Sequence, residues 1–396
     1  MQGAVQGAAQ GADGTGDRVL IVALSGRALA QSARRAGLRP IVLDRFADLD
    51  TREAAELALR IAPGRAGPLA AGPLLRAARS FAPAPVPLLV GGGLEGRLGV
   101  LGALARGREL WGNPPERVAR AVDPFALAAL CRELDVPFPE TRETLPRDRQ
   151  VWLVKRQGAG GGWHVRDAGR VRALHPRDYA QRRVTGRPVS ILLLGNGHEM
   201  RALLASEQWN TGSPPHFKGV LAPAPLRPET RDRLARAATA VAAALGLRGL
   251  ASADFLLDEA GGFHLLEINP RPGGSLEAAE TALGVNLVAL HLAACRGELP
   301  ESVPEPSVFA GTAIVRADRD LVVPDGFLWP EWAGDRTPSG ERVRRGCPLA
   351  TLRATGEDPA EVRRLLADRE KTLLAAMSPA SRRPRPRLVV EGDRSA

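Results

Sequence analysis

The residues best suited to chemistry lie in two neighbouring apolar runs near the middle of the chain. Residues 253–257 and 263–268 are separated by a five-residue turn, which predicts an antiparallel hairpin. Side chains alternate across a strand, so Glu267 and Asn269 share one face. Pairing in the hairpin brings Asp254 on the first strand close to both of them.

These three groups offer two carboxylates and an amide oxygen, the kind of ligands that Mg²⁺ binds jointly with nucleotide phosphates. Arg271 follows on the same face and is suited to grip a phosphate with two hydrogen bonds. The ordinary alternative is a surface hairpin with exposed acids. The apolar residues that flank these carboxylates argue against an open surface and favour the metal site.

A second candidate group is Lys155, which ends the apolar run 151–155 and precedes a glycine-rich loop. The loop glycines are Gly158, Gly160, Gly161 and Gly162. Backbone N–H groups in such a loop cradle a polyphosphate while the lysine neutralises its charge. The pattern is not that of a P-loop, and by itself it also fits an ordinary hairpin loop.

The elements before this loop follow a strand–helix–strand order. A strand at 19–23, a glycine turn, a helix at 28–36 and a strand at 40–43 predict a parallel sheet. Helices are predicted at 52–61 and 69–81, and the strand 88–90 runs into three glycines. Turns of this kind at the carboxyl ends of parallel strands form ligand crevices.

The sequence predicts an α/β chain of several units. They are a disordered leader (1–17), a Rossmann-like domain (18–113), a domain that carries the hairpin (114–300, with a small α+β lid at about 140–220), a short β-rich extension (301–378) and a disordered tail (379–396).

Composition excludes several other classes of protein. Hydrophobic residues make up 44% and charged residues 25%, as in globular proteins, and no apolar run is long enough for a transmembrane helix. The net charge of +10 comes almost entirely from arginines spread along the chain, with 4% aromatic residues, which argues against a nucleic-acid surface. Three widely separated cysteines predict no disulfide framework and favour the cytoplasm.

Together these residues resemble the ATP-grasp superfamily over about 18–297, and within it the predicted carboligases related to biotin carboxylase. The resemblance rests on the run from Ser25 to Ala30, the run from Asp44 to Asp50, the lysine with its glycine loop, and the closing Leu266-Glu267-Ile268-Asn269-Pro270-Arg271. It implies a Rossmann-like pre-ATP-grasp domain, a lid and an α+β body. It also implies that ATP and Mg²⁺ (or Mn²⁺) are the cofactors.

The resemblance further assigns roles to individual residues. Lys155 would contact the α and β phosphates, and the glycine loop would close over the β and γ phosphates. Gln181 and Val184 would belong to the hinge beside the adenine, although many relatives have a glutamate where this chain has 181–184. Asp254, Glu267 and Asn269 would hold the metal, Arg271 would stabilise the transferring phosphoryl group, and Lys218 would reach the phosphates or substrate or stay a solvated turn lysine.

Candidate substrate residues are Ser25, Arg27 and Asp44 at the first crevice, and Ser275 and Glu277 after the arginine. The expected reaction joins a small-molecule carboxylate to an amine through an acyl phosphate. The resemblance suggests amino-acid or glutamate ligation in the biosynthesis of a pterin- or furan-type one-carbon cofactor, and a homodimer.

Two other functions stay open at this point. One is a bicarbonate-using carboxylase or carbamoyl-type enzyme, which is weakened because the sequence has no Met-Lys-Met pattern of a biotin carrier. The other is a nucleotide-binding protein without turnover. It gains support because many relatives carry a further lysine near position 122, where this chain has only the neighbouring Arg120 as a substitute.

Overall fold

The computed structural model describes residues 17–64, 67–162, 164–212 and 216–377. The predicted leader, apart from Asp17, and the predicted tail lie outside these residues. Within them the chain forms a parallel sheet, a small four-stranded sheet and a large antiparallel sheet.

The first domain is built on a five-stranded parallel sheet with the strand order β3-β2-β1-β4-β5. Its central strands are continuous apolar runs because helices cover both faces of a parallel sheet. The elements are β1 (Arg18–Val22), α1 (Arg27–Arg35), β2 (Arg39–Asp44), α2 (Leu49–Ala54), β3 (Leu57–Arg60), α3 (Ala71–Phe81), β4 (Leu88–Val90), α4 (Leu98–Ala105) and β5 (Leu110–Trp111).

One predicted helix of this domain is wrong in its second half. The prediction ran from 52 to 61, but α2 ends at Ala54 and β3 follows, paired in parallel with β2. The side chains of Leu57 and Leu59 pack into the core on one face of the sheet, and Ala58 packs on the other. This alternation with a period of two stabilises a strand.

Two helices lead from the first domain into the small sheet. The elements are α5 (Pro115–Val122), α6 (Pro124–Glu133), β6 (Thr141–Arg142), β7 (Trp152–Arg156), β8 (Arg166–Asp167), the short 3-10 helix Ala168–Arg170 and β9 (Asp178–Arg182). The strand order is β6-β9-β7-β8. This sheet, which we call the lid, is shorter than the span of about 140–220 that the sequence predicts.

The strands after the lid belong to an antiparallel sheet of eight strands, with the order β14-β13-β10-β11-β12-β15-β19-β17. Residues of the predicted C-terminal extension therefore continue the sheet of the body. The elements are β10 (Arg187–Asn196), β11 (Met200–Thr211), β12 (His216–Ala222), α7 (Pro228–Ala244), β13 (Arg248–Leu257), β14 (Phe263–Asn269), α8 (Leu276–Leu283), α9 (Leu287–Cys295), β15 (Phe309–Arg316), β16 (Leu321–Val322), β17 (Ala333–Gly334), β18 (Arg342–Val343), β19 (Pro348–Gly356) and α10 (Pro359–Ala376).

Helices cover both faces of the large sheet and leave its strands buried. The apolar residues of α7 join one core cluster, and those of α8 and α9 join another that also includes β1 and α1 of the first domain. Asn113 fixes the domain junction, since its amide donates to the carbonyl oxygens of Arg248 (3.0 Å) and Pro270 (2.9 Å). The residue before Arg271 is thus tied to the first domain.

No single helix in the described residues is long and apolar enough to cross a membrane. Helices α8 and α9 reach the necessary length and apolar composition only when they are taken together, and the pair is bent by 102° at the break between them. Both contribute many buried residues to the core shared by the body and the first domain.

Candidate active site

The predicted hairpin is present as β13 and β14, and its polar side chains meet. In the strand register Asp254 lies opposite Glu267, and Ser252 lies opposite Asn269. The Asn269 amide donates to one oxygen of Asp254 (3.0 Å), and the Ser190 hydroxyl of β10 donates to the other (2.5 Å). The residues Asp254, Glu267, Asn269 and Arg271 form what we call the hairpin cluster.

The electrostatics of this cluster fit a divalent cation. Burial raises the pKa of Asp254 to about 7, and repulsion from the Glu267 carboxylate adds to the rise. A cation between the two carboxylates would relieve both effects, and oxygen ligands are those that Mg²⁺ prefers. The two carboxylates and the amide oxygen of Asn269 are therefore a suitable donor set for Mg²⁺ or Mn²⁺.

Arg271 extends the hairpin cluster to the first domain. Its guanidinium donates from Nε to Glu95 (2.6 Å) and from a terminal nitrogen to the Asn269 oxygen (3.0 Å). Burial alone lowers the pKa of Arg271, but Glu95 and the hairpin carboxylates raise it above its usual value. Glu95 follows the glycine turn after β4, and its second oxygen accepts from the Gly93 N–H (2.6 Å). The arginine is thus held at the carboxyl edge of the parallel sheet.

Lys155 lies on β7 of the lid, and the hairpin carboxylates are close enough to influence its pKa. Burial lowers the pKa of Lys155, while Glu267 and Asp254 oppose this shift. His164, just after the glycine loop, shows the same pattern, since burial lowers its pKa and Glu267 opposes the shift. Tyr179, the cross-strand neighbour of Lys155, has a pKa raised first by burial and then by Glu267. The lid thus brings polar groups to the hairpin carboxylates.

The glycine loop lies between the lid, the body and the first domain. Gly158, Gly161 and Gly162 have φ values of 68°, 74° and 79°, a region that favours glycine. A Cβ at Gly158 would lie 2.6 Å from the Cα of Gly96, so the two backbones approach too closely for a side chain. The Phe217 N–H donates to the Gly161 carbonyl (3.3 Å). Gly160 lies in the same loop, with open space where a side chain would be.

Two predicted hinge residues follow the lid sheet. Gln181 is buried on β9, and its amide donates to the Thr141 hydroxyl on β6 (3.3 Å). Val184 lies just after β9 and is partly exposed. Their contact with a nucleotide stays a prediction.

Lys218 does not join the hairpin cluster. Its ammonium forms an ion pair with Glu370 on α10. On the neighbouring position of β12, the ring of Phe217 points the other way, towards Gly274 after the hairpin. The register of β12 against β11 shifts at this position, and Lys218 is paired with α10. Its catalytic role stays a prediction.

The predicted substrate residues of the first crevice meet the C-terminal extension. Arg27 is buried and binds both oxygens of Glu277 (2.6 and 2.7 Å) and those of Asp335 (3.2 and 3.3 Å). The Ser25 hydroxyl also donates to Asp335 (2.9 Å). Asp44 ends β2 fully buried and accepts three backbone N–H bonds. Four of the predicted residues are thus brought together, around a partner that the sequence did not indicate.

Ser275 is buried at the start of α8, although its side chain makes no capping bond to that helix. Several further polar residues of these two regions were missed. They are Glu95, His164, Tyr179, Ser190, Asp48, Asp50 and Asp335. Glu95 could have been found, because it follows a glycine turn that already predicted a crevice. Asp335 carries no such signal, since it lies in a loop far away in the sequence.

Comparison with known proteins agrees with this architecture. Residues 122–275 match the family model ATP-grasp_3, described as an ATP-grasp domain. The chain is 35% identical over 94 residues to chloroplastic biotin carboxylase 2 of Populus trichocarpa. That match covers 24% of this chain and only 18% of the carboxylase.

Solved structures are similar over most of the chain. One is the biotin carboxylase domain of the Hydrogenobacter thermophilus 2-oxoglutarate carboxylase, a dimer solved with MgADP, ADP and bicarbonate. It superposes with a TM-score of 0.70 at 15% identity, and the match covers 91% of this chain and 90% of that one. The L-amino acid ligase of Bacillus licheniformis gives a TM-score of 0.68 at 16% identity, covering 90% and 97%.

This chain therefore contains an ATP-grasp domain and has the fold of the biotin carboxylases and the amino-acid ligase. The predicted resemblance and fold class are confirmed. ATP with Mg²⁺ is the cofactor pair of this class of domain, as the sequence predicts.

Proposed function

We propose that this protein is an ATP- and Mg²⁺-dependent ligase that joins a small-molecule carboxylate to an amine. The observation that carries the proposal is the hairpin cluster: two facing carboxylates, an amide oxygen and an arginine. A divalent cation held by the oxygen ligands would, together with Arg271 and the lid lysine, neutralise the phosphates of a nucleotide and the charge that develops during phosphoryl transfer.

In the proposed reaction, a carboxylate oxygen attacks the γ phosphorus of ATP, and the bond from that phosphorus to the bridging oxygen breaks. ADP leaves and an acyl phosphate forms. The amine nitrogen then attacks the acyl carbon, the carbon–oxygen bond to the phosphoryl group breaks, and the nitrogen loses a proton. The products are an amide, ADP and phosphate.

The residues of the chain supply position and charge. Asp254, Glu267 and Asn269 would hold the divalent cation, which supplies charge neutralisation at the phosphates. Arg271, fixed by Glu95, would bind the transferring phosphoryl group. Lys155 and the glycine loop would cover the nucleotide phosphates and exclude water. None of these roles needs a covalent bond to the enzyme.

The finer assignments are also proposals. The similarity to an L-amino acid ligase supports an amino-acid substrate, and glutamate ligation in the biosynthesis of a pterin- or furan-type cofactor extends that idea. A homodimer is supported by the dimeric carboxylase domain with the same fold. We propose a cytoplasmic location from the sparse, unpaired cysteines.

A second candidate is a carboxylase that uses bicarbonate as its carboxylate. The observation that favours it is the local sequence match to a biotin carboxylase. The two reactions share the first step and differ in the acid that is activated.

The test is ADP release by the full chain with ATP and Mg²⁺, measured over a panel of carboxylates and amines. Ligase activity requires ADP release that depends on one carboxylate and one amine together, with an amide found by mass spectrometry. Release that depends on bicarbonate alone favours the carboxylase. If ATP binds but no pair gives ADP above background, the ligase proposal is wrong and a nucleotide-binding role replaces it.

A further inference from the structure

A second group of carboxylates lies beside the hairpin cluster at the carboxyl edge of the parallel sheet. Asp44 ends β2, Asp48 immediately precedes α2, and Asp335 lies in the loop after β17. Together with Asp50, these residues form what we call the crevice cluster. Ser25 lies at its mouth and is exposed, so the cluster opens to solvent there.

Most charges in the crevice cluster already have partners. Arg27 bonds to Glu277 and to Asp335. Asp50 accepts from two backbone N–H groups, those of Asp335 and Arg336, at 3.0 and 2.9 Å. Asp44 accepts three backbone N–H bonds as well. These contacts leave one member of the cluster unexplained.

That member is Asp48, which is only 5% exposed. Within the described part of the chain no group donates a hydrogen bond to its carboxylate, and no salt bridge reaches it. It precedes α2 but does not cap that helix. Arg52, four residues after Asp48, donates instead to the Ala47 carbonyl (2.7 Å). A largely buried carboxylate with no partner in the protein is a candidate to receive one from a ligand.

The charge around Asp48 indicates what that ligand is. Burial raises the pKa of Asp48 to about 8, and the carboxylates of Asp335, Asp44 and Asp50 add to the rise. The acids around Asp48 favour a cationic partner, and Arg27, the buried basic residue of this region, is already engaged by Glu277 and Asp335. A metal ion needs several free carboxylate oxygens, whereas Asp44 and Asp50 already accept backbone N–H bonds and Asp335 is engaged by Arg27. An ammonium group donates hydrogen bonds to carboxylates that do not converge on a single point.

The position of the crevice cluster relates it to the reaction. Strand β1 lies between β2, which ends in the crevice cluster, and β4, whose glycine turn meets Arg271. Neighbouring strands are about 4.8 Å apart, so the two clusters are separated by about 10 Å along the edge. A nitrogen held by Asp48 is too far away to be the attacking amine, which must come within roughly 3–3.5 Å of the acyl carbon.

We propose that the crevice cluster binds the ammonium group of an amino-carboxylate substrate whose reacting carboxylate lies several bonds away at Arg271. Asp48 is the principal partner of that ammonium group, with Asp44 and Asp335 beside it. This inference rests on the proposed function, since it takes Arg271 as the place of the reacting carboxylate.

The test is calorimetric binding to the full chain in the absence of ATP. The probes are glycine, 4-aminobutyrate and 6-aminohexanoate, each compared with its N-acetyl form, which lacks the positive charge. We expect at least one free amino acid to bind roughly ten- to a hundredfold more tightly than its acetylated form. Asp48→Asn should remove this preference. Asp325→Asn, a change at an exposed acid, is the matched control and should keep it.

Asp48→Asn replaces a largely buried acid by a neutral side chain of the same shape, so we expect the variant to fold at least as stably as the wild type. Asp335→Asn gives a second, independent test of the same preference. The inference is overturned if no free amino acid is preferred to its acetylated form, or if Asp48→Asn keeps the preference. Preferential binding without ADP release from any substrate pair would uphold the site and contradict the ligase proposal. ADP release without preferential binding of the free amino acid would uphold the ligase proposal and contradict the site.

Discussion

The hairpin cluster and the crevice cluster both gather buried carboxylates, but they are built differently. In the hairpin cluster the acids come from paired strands, Arg271 follows one of those strands, and Lys155 comes from the lid. In the crevice cluster Asp44, Asp48 and Asp50 come from the end of β2 and the start of α2, and Asp335 comes from the C-terminal extension. Arg27 is already engaged there by Glu277 and Asp335. The first arrangement suits phosphates with a metal ion, and the second suits an organic cation.

The largest effect is expected for Glu267→Gln in the hairpin cluster. The change keeps the shape of the side chain and removes one charge from the proposed metal site. We expect turnover, measured as ADP release, to fall by roughly 10²- to 10³-fold while the fold is retained. Glu259→Gln, in the exposed turn of the same hairpin, is the matched control and should leave turnover unchanged. Near-normal activity of Glu267→Gln would refute the metal assignment.

We expect Asp48 of the crevice cluster to make the free energy of unfolding depend on pH. The pKa of Asp48 is about 8 in the folded protein and about 3.9 when unfolded, so the folded state holds the proton more tightly. Stability from this group is complete below about pH 4 and declines as the pH rises towards 8, by at most about 1.4 kcal/mol per pH unit.

Asp48→Asn should remove this part of the decline, so the variant should gain stability over the wild type as the pH rises. Denaturant unfolding of both proteins at a series of pH values measures the difference. Parallel curves for the two proteins would show that Asp48 is not an unpaired buried acid.

A smaller effect is expected for Glu95→Gln, which tests how Arg271 is positioned. The neutral amide still accepts a hydrogen bond, but it holds the guanidinium less firmly than the carboxylate does at 2.6 Å. We expect kcat to fall about tenfold with little change in the affinity for ATP. A fall in ATP affinity alone would mean that Glu95 acts on nucleotide binding instead.

The smallest effect is expected for Lys218→Met. Because the lysine pairs with Glu370 on α10, its removal should cost about 1 kcal/mol of stability and leave turnover nearly unchanged. Glu370→Gln should give a similar loss of stability. A drop in turnover of tenfold or more for Lys218→Met alone would support the catalytic role predicted from the sequence.

The contrast between the clusters also explains what the sequence predicts well. The hairpin cluster depends on local rules, since alternation along β14 and a short turn are enough to bring Asp254 opposite Glu267. The glycine loop and the first parallel strands follow from equally local patterns. Family resemblance then added roles that no local rule supplies.

The parts that were missed depend on contacts between distant segments. Asp335 lies 308 positions from Arg27. The end of the lid could not be predicted from the strand pattern alone. The sequences of β10 to β12 are compatible with pairing either to the lid strands or to β13. The partner of Lys218 was likewise not predictable, because Glu370 lies on α10, 152 positions further along the chain.

The most direct test of the central claim is the binding of Mn²⁺ in the presence of ADP, followed by electron paramagnetic resonance. If the hairpin carboxylates hold the cation, the wild type should deplete free Mn²⁺, and Glu267→Gln should bind it at least tenfold more weakly, with Glu259→Gln unchanged. Equal binding by Glu267→Gln and the wild type would contradict the account.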